Sequence, residues 1–437
     1  MFVWSQCALF TKIPRYFFFA VSFLPNLEGG IPMKFTPAEV MQYVKEEEIQ
    51  FIRLAFCDIY GKQKNIAIMA SELKRAFEVG IAIDASAIAG FGGEVRSDLF
   101  LRPDPSTLVQ LPWRPESGKV IRMFCDITYP DGKKLDEDTR GILKAAIAAA
   151  KAEGLSFAFG AEMEFYLFKL DEHGNPTTIP YDNASYMDVA PDDKGENVRR
   201  EICLTLEELG IQPECSHHEE GPGQNEIDFR YSDPLSAADN AVTFRTVVKT
   251  VATRSGLVAD FSPKPLRNHA GSGLHINISV KGGEKRDLLP HVIAGMMEHI
   301  ADMTLFLNPC ENSYERLGKN KAPRYITWSS QNRSQLIRIP AADEEHHRAE
   351  LRSADPSANP YLAFALLIYA ALDGIKRGLM PPPSTDINLF SAPASVLATF
   401  EKLPSSIQEA ICTAKESEFI RSCLPDAVIS AYCNNPS

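Results

Sequence analysis

The stretch Phe157-Ala158-Phe159-Gly160-Ala161-Glu162-Met163-Glu164-Phe165-Tyr166-Leu167-Phe168 constrains the fold of this chain more tightly than any other. Its aromatic and apolar density reads as a buried strand. Side chains alternate along a strand, so Glu162 and Glu164 project from the same face. Two neighbouring carboxylates in apolar surroundings cannot both stay ionised without a cation to neutralise them. The pair is therefore either a wet polar face or a pair of metal ligands.

Three further constellations follow. In Glu214-Cys215-Ser216-His217-His218-Glu219-Glu220-Gly221-Pro222-Gly223-Gln224-Asn225-Glu226, a Gly-Pro-Gly turn folds Glu219 and Glu226 back towards one another. Hard oxygen donors of this kind suit Mg²⁺ or Mn²⁺, and a solvated acidic turn is the bland alternative. In Gly271-Ser272-Gly273-Leu274-His275-Ile276-Asn277-Ile278-Ser279 the glycines permit close backbone approach to a ligand. His275, Asn277 and Ser279 then alternate on one strand face, although a lone histidine is more often a satisfied core residue. Finally, Arg316, Arg324, Arg333, Arg338, Arg348 and Arg352, with Glu350 among them, read as a site for carboxylate and phosphate oxygens or as ordinary surface ion pairs.

Charge sharpens that choice. Lys+Arg total 45 against 57 Asp+Glu, a formal charge of -12, and no basic stripe is visible, which argues against a nucleic-acid partner. Anionic substrates then require locally placed arginines or metal ions. The 9 cysteines are scattered singly with no CxxC pair, which argues against a disulfide framework and for a reducing, cytoplasmic compartment. The apolar run Tyr16–Leu24 is too short to span a bilayer. No membrane segment is expected beyond it, and residues 1–32 read as an extension or a start assigned upstream of Met33.

The organisation is α+β. Thr36-Pro37-Ala38-Glu39 opens a helix with a capping box. Phe51–Phe56 and the segment after Asp58–Lys62 form a hairpin, Ser71–Val79 a helix, and strands follow near Leu108 and Val120. The charged stretch Lys133–Arg140 divides a domain of residues 33–135 from one of 136–437. An Ala-rich helix is expected over Ile142–Glu153, and Pro360 begins a long apolar helix before a helical tail.

In order and wording these motifs resemble the glutamine synthetase family from Met33 onward, in its shorter bacterial type I branch. The match runs through Asp84-Ala85-Ser86-Ala87-Ile88-Ala89-Gly90-Phe91, Glu162-Met163-Glu164, His217-His218-Glu219, Gly223-Gln224-Asn225-Glu226, Gly271–His275, Asn332-Arg333-Ser334 and Glu350–Pro360. The resemblance implies an N-terminal β-grasp-like domain and a larger catalytic domain with a curved antiparallel sheet and flanking helices. It implies ligation of ammonia to glutamate through γ-glutamyl phosphate, with ATP as co-substrate and two Mg²⁺ or Mn²⁺ ions. It also implies a homo-oligomer, a hexameric ring or paired rings, with active sites between subunits.

Residue by residue, the resemblance gives Glu164, Glu219 and Glu226 one ion, and Glu162, His275 and Glu350 the other. Arg316, Arg333, Arg352 and Gly271 resemble the groups that bind glutamate and the transferring phosphoryl group. Glu214, Asn277, Ser279, Arg338 and Arg348 resemble nucleotide contacts. Asp84 resembles the residue that receives ammonium in a neighbouring subunit. The chain departs from the family at Lys321, where a flap glutamate usually stands, and at Ala87, Ala270 and Asn277. Three readings therefore compete: a glutamate–ammonia ligase, a γ-glutamyl ligase for another amine, and a non-catalytic homologue.

Overall fold

The computed structural model describes residues 35–91, 97–113, 118–282, 287–341 and 347–434. The predicted extension 1–32 lies outside them. The first helix, α1 (Pro37–Glu46), begins as expected. The Thr36 hydroxyl accepts from Glu39 N, and the Glu39 carboxylate accepts from Thr36 N at 2.7 Å, which satisfies two otherwise orphaned amides.

Strands β1 (Phe51–Cys57), β2 (Gln63–Met69), β3 (Ile81–Asp84), β4 (Asp98–Pro103), β5 (Val109–Gln110) and β6 (Val120–Thr128) form one sheet. Its order is β2-β1-β6-β4-β3, with β5 against β6. The β1–β2 hairpin is antiparallel and β1 runs parallel to β6, a β-grasp arrangement. Between β2 and β3 the predicted Ser71–Val79 helix is a 3-10 turn, Ala70–Glu72, followed by α2 (Leu73–Glu78). Ile52, Leu54, Leu101, Ile121 and Met123 are buried in the core of this half.

Helix α3 (Thr139–Ala152) starts three residues before the predicted Ile142, because the Asp138 carboxylate accepts from Arg140 N at 3.2 Å and caps it. The charged stretch read as a boundary is exposed at Lys133, Lys134 and Asp136 but buried at its end, from Asp138 to Arg140. Arg140 reaches Asp104 at 3.0 Å, Asp126 at 3.1 Å and Asp239 at 2.9 Å. One guanidinium thus ties β6 and the turn after β4 to the second half of the chain.

The second sheet is built around β7 (Leu155–Leu170), with β8 (Pro176–Pro180), β9 (Pro213–His218), β10 (Gln224–Phe229), β11 (Leu257–Asp260), β12 (Leu274–Gly282), β13 (Trp328–Ser329), β14 (Ile337–Arg338) and β15 (Ala349–Leu351). The order is β13-β14-β15-β12-β7-β10-β9, and β8 and β11 also pair with β7. The predicted antiparallel sheet is mixed at its edge, where β13 and β14 run parallel.

Phe159, Ala161, Met163, Phe165 and Leu167 of β7 meet Ile227, Phe229, Leu274, Ile276, Ile278 and Leu351 in one buried core. After α4 (Glu196–Glu208) come the long helices α5 (Pro234–Arg254), α6 (Leu289–Leu307) and α7 (Pro360–Arg377). Helices α3 and α5 lie on the sheet, and α6 packs on α7. A Cβ added at Gly295 would stand 2.1 Å from the Ala370 carbonyl oxygen, so the two backbones cross where only glycine fits. Among the described residues no helix is long and apolar enough to cross a membrane.

The tail forms α8 (Ile407–Glu416), α9 (Glu418–Cys423) and α10 (Asp426–Asn434). His299 of α6 stacks on Phe419 at 3.9 Å and bonds Asp373 at 2.8 Å, with Asp302 at 3.9 Å. Burial opposes its protonation, but its bonds to Asp302 and Asp373 outweigh that and raise its pKa. A raised histidine pKa adds stability that is complete below the unfolded pKa and is lost as pH rises through the folded value. The wild-type Tm should therefore fall between pH 6 and pH 8 by more than that of His299→Gln. Parallel Tm–pH profiles for the two proteins would remove His299 as the cause.

Candidate active site

The strand register gathers the polar face of the second sheet row by row. Residues opposite one another in a sheet share a face, as do alternate residues along each strand. Glu226 lies opposite Glu164 and also opposite His217. One row along, Glu162 lies opposite His275 and Asp228. In the next row Asn277 lies between Gly160 and Glu350, and Glu350 pairs with Arg338. The alternation that buries Met163 and Ile276 on one side thus lines the other with carboxylates, imidazoles and guanidinium groups.

The contacts within this face are short. His275 Nδ1 lies 3.2 Å from Glu162 Oε2, and Asn277 Nδ2 donates to Glu162 Oε1 at 2.8 Å. Arg348 Nε donates to Asn277 Oδ1 at 3.0 Å. Glu350 is fully buried; its two oxygens accept from Arg338 Nε and Arg352 Nη1, each at 2.5 Å, and His275 Nδ1 is 3.7 Å away. Glu164 Oε2 accepts from Gly273 N at 2.9 Å and Gln224 Nε2 at 2.8 Å. His217 stands 3.6 Å from both Glu219 and Glu226.

Electrostatics divides the carboxylates. Burial works against ionisation of Glu162, yet the bonds from His275 and Asn277 prevail and hold it at about 2. Glu164 is raised by burial and by Glu219. Glu226 is raised strongly by burial and then by Glu164, Asp228 and Glu219. Burial and Glu162 push Asp228 up to about 6. A face that holds so many acids against one another calls for positive charge.

The donor set fits divalent ions. Ligating atoms of Glu162, Glu226 and His275 lie within 4.8 Å of one another, as do those of His217, Glu219 and Glu226. The predominance of carboxylate oxygens suits Mg²⁺ and Mn²⁺, with the imidazole as a single nitrogen donor in each group. Glu226 is common to both groups and His217 stands beside Glu219. Glu350, which the resemblance placed with Glu162 and His275, lies 3.7 Å from His275 Nδ1 and is held by two arginines.

The other expected residues spread around this centre. Arg316 is buried, its Nη2 would lie 2.8 Å from a Cβ on Gly273, and it donates to the Ser353 carbonyl at 2.8 Å. Arg352 donates to Glu350 as described, and Gly271 packs against the Arg316 stem. Asn277, Ser279, Arg348, Gly160 and Tyr231 line a cleft of about 150 Å³ beside the Glu162 row. Glu214 is exposed, 3.8 Å from Arg230, and does not line that cleft.

Lys321 pairs with Glu220 and stands 5.2 Å from the centre of the Tyr186 ring. Burial and Glu219 raise the Tyr186 phenol, while Arg333 and Lys321 act in the opposite sense; Arg333 itself is exposed. Asp84 is exposed at the end of β3, where its carboxylate accepts from Ser86 N at 2.9 Å. Among the described residues no hydrogen bond or ion pair joins it to the acidic face. Sequence reading assigned no role to His217, Gln224, Asp228, Tyr186 and Tyr231, although His217 and Gln224 stand within its motifs. The period-2 spacing of Gln224, Glu226 and Asp228 was the signal for two of them.

Known proteins resemble this chain over most of its length. The family model described as glutamine synthetase, catalytic domain, matches residues 136–436, and that of the glutamine synthetase beta-Grasp domain matches residues 48–130. Glutamine synthetase of Clostridium saccharobutylicum is 44% identical over 414 residues, covering 91% of this chain and 94% of the relative. That of Methanosarcina mazei is 45% identical over 412 residues, covering 91% and 92%.

Among solved structures, a GmaS/ADP complex superposes with a TM-score of 0.82 at 28% identity, covering 91% of this chain and 94% of that one. Plasmodium falciparum glutamine synthetase, with a TM-score of 0.80 at 22% identity and 92% and 95% coverage, shares the fold. With both family models matched across most of its length and relatives above 40% identity, this chain belongs to the glutamine synthetase family, as an enzyme of the glutamate–ammonia ligase type.

Proposed function

We propose that this chain joins ammonia to the γ-carboxylate of glutamate through γ-glutamyl phosphate, releasing glutamine, ADP and phosphate. One observation carries the reading: a single sheet face presents clustered carboxylates and imidazoles at its centre and arginines along its rim. Glu162, His275 and Glu350 on one side, and Glu164, Glu219 and Glu226 on the other, would hold two Mg²⁺ or Mn²⁺ ions, with His217 beside the second set. Such ions, when bound, offset the charge of the phosphates and of the substrate carboxylate.

The chain's own groups then divide the work. Asn277, Ser279 and Arg348 line the nucleotide cleft, with Arg338 close by through Glu350 and Glu214 at the periphery. Arg316, Arg352 and the Gly271 backbone receive glutamate, and Arg333 faces the transferring phosphoryl group. Guanidinium groups preset in this way stabilise charge as it develops, without reorganising at the moment of reaction. Asp84 is exposed and, among the described residues, makes no hydrogen bond or ion pair with its own chain's cluster, so we infer that it serves a neighbouring subunit in a ring-shaped homo-oligomer.

The flap favours one alternative, an amine other than ammonia. Lys321 stands where a carboxylate would attract ammonium, although its pairing with Glu220 offsets much of its charge. Phosphate release from ATP, glutamate and Mg²⁺ tests both readings when ammonium and then a panel of alkylamines are added. Stimulation by an alkylamine and not by ammonium would overturn the first reading.

A charge swap, Lys321→Glu with Glu220→Lys, keeps the ion pair and carries a carboxylate into the flap. It should raise ammonium-dependent kcat/KM by about tenfold or more, since a positioned general base contributes at least that much. An unchanged value would show that the flap carboxylate is not limiting.

A further inference from the structure

Gln224 belongs to no group of expected ligands, yet it sits where three parts of the site meet. It is 1% exposed, one row beyond Glu226 on the same face and directly opposite Tyr166. Its Nε2 donates to Glu164 Oε2 at 2.8 Å and to the Gly271 carbonyl at 3.2 Å. Its Oε1 accepts from Gly221 N at 2.9 Å. These partners fix the amide's orientation: two acceptors face the nitrogen and a backbone donor faces the oxygen. Tyr166 extends the arrangement. Its hydroxyl lies 3.3 Å from Gln224 Oε1, but its single proton goes to the Ala270 carbonyl at 2.6 Å.

Glu164 is a candidate metal ligand, Gly271 lies on the loop assigned to the amino-acid substrate, and Gly221 lies in the turn between Glu219 and Glu226. Packing around the amide leaves no slack. A Cβ at Gly221 would fall 1.9 Å from the Tyr166 hydroxyl and 2.8 Å from Gln224 Oε1.

We infer that Gln224 is a positioning residue that locks the metal-side carboxylate Glu164, the glutamate loop at Ala270–Gly271 and the Glu219–Glu226 turn into one rigid unit, with Tyr166 holding the loop's other carbonyl. A residue in this role transmits occupancy of the metal site to the amino-acid site. The nucleotide cleft at Asn277, Ser279 and Arg348 lies outside its contacts. The inference rests on the ligand assignment proposed above.

The test uses the full chain, with Mn²⁺ titration followed by electron paramagnetic resonance and steady-state KM values for glutamate and ATP. Gln224→Met keeps the bulk and removes every bond of the amide. Orienting partners of metal ligands typically contribute ten- to hundredfold to affinity. Mn²⁺ affinity and glutamate KM should therefore each worsen by about tenfold or more, with ATP KM moving less than about twofold.

Tyr166→Phe removes only the bond to Ala270 and should raise glutamate KM while leaving Mn²⁺ binding unchanged. It decides the matter should Gln224→Met fail to fold. Wild-type glutamate KM in either folded variant, or equal losses for glutamate and ATP, would overturn the inference. A wild-type chain that neither binds Mn²⁺ nor releases phosphate with glutamate would instead sink the ligase reading beneath it.

Discussion

In Glu226→Gln, phosphate release with glutamate, ammonium, ATP and Mg²⁺ is expected to fall by at least about a hundredfold, while the metal-free protein becomes more stable. Both signs follow from the same contacts. Ligand atoms of Glu226 lie within 4.8 Å of those of Glu162 and His275 and, separately, of His217 and Glu219, so its loss weakens the ion site assigned to it and removes a carboxylate beside the other. Without cations, burial and the surrounding acids Glu164, Asp228 and Glu219 raise its pKa strongly.

An acid whose folded pKa exceeds its unfolded value costs stability while ionised, and the protein regains that stability as pH falls through the folded pKa. A neutral amide removes the cost at every pH. In chelator at neutral pH, the variant's unfolding free energy should exceed that of wild type by about 1 kcal/mol or more. The stabilisation that Mn²⁺ gives the wild type should largely vanish. Retained turnover with an unchanged Mn²⁺-induced Tm shift would show that this face does not hold the ions.

Arg140→Met is expected to be the most destabilising single change away from the acidic face, by about 3–5 kcal/mol, with no direct effect on substrate KM. The Arg140 side chain is 4% exposed, and Asp239 beside it is 11% exposed. Removing the guanidinium leaves Asp104, Asp126 and Asp239 facing one another. Lys144, 2.5 Å from Asp126 and 3.7 Å from Asp104, can compensate those two in part but does not reach Asp239 with an ion pair. Tyr361 donates to Asp239 at 2.7 Å, so the damage should reach the start of α7. Denaturant unfolding measures the loss directly, and a change under about 1 kcal/mol would mean that the three acids are hydrated or protonated in the folded state. Because Arg140 ties the two halves together, loosening of the first sheet should appear first, as faster amide exchange in β4 and β6.

These two residues show where sequence reasoning holds and where it stops. The acidic strand was legible because a period of 2 is local: Glu162 and Glu164 share a face whatever β7 packs against. The capping box at Thr36 and the Pro360 helix start were legible for the same reason. Arg140 was not. Its charged neighbourhood read as a linker between domains, because Asp104, Asp126 and Asp239 lie up to 99 positions away and nothing local marks them as partners.

Gln224 shares the period-2 spacing of Glu226, but its role was not legible, since an amide becomes informative only when its acceptors and donors are in place. The neighbours of the acids were equally hidden: His217 stands 3.6 Å from Glu219 and Glu226, and Glu350 is clasped by Arg338 and Arg352. Glu220, silent in the sequence, proved to be the partner of the flap residue Lys321.

By itself the sequence determined which strands carry the carboxylates, on which face they stand and where the major helices begin, because backbone periodicity and capping act over a few residues. Only the tertiary structure decided which acids meet, which arginine neutralises which carboxylate and which amide braces the ligands. Those outcomes depend on strand register and on contacts between residues far apart in the chain, where distance and burial set the strength of every charge.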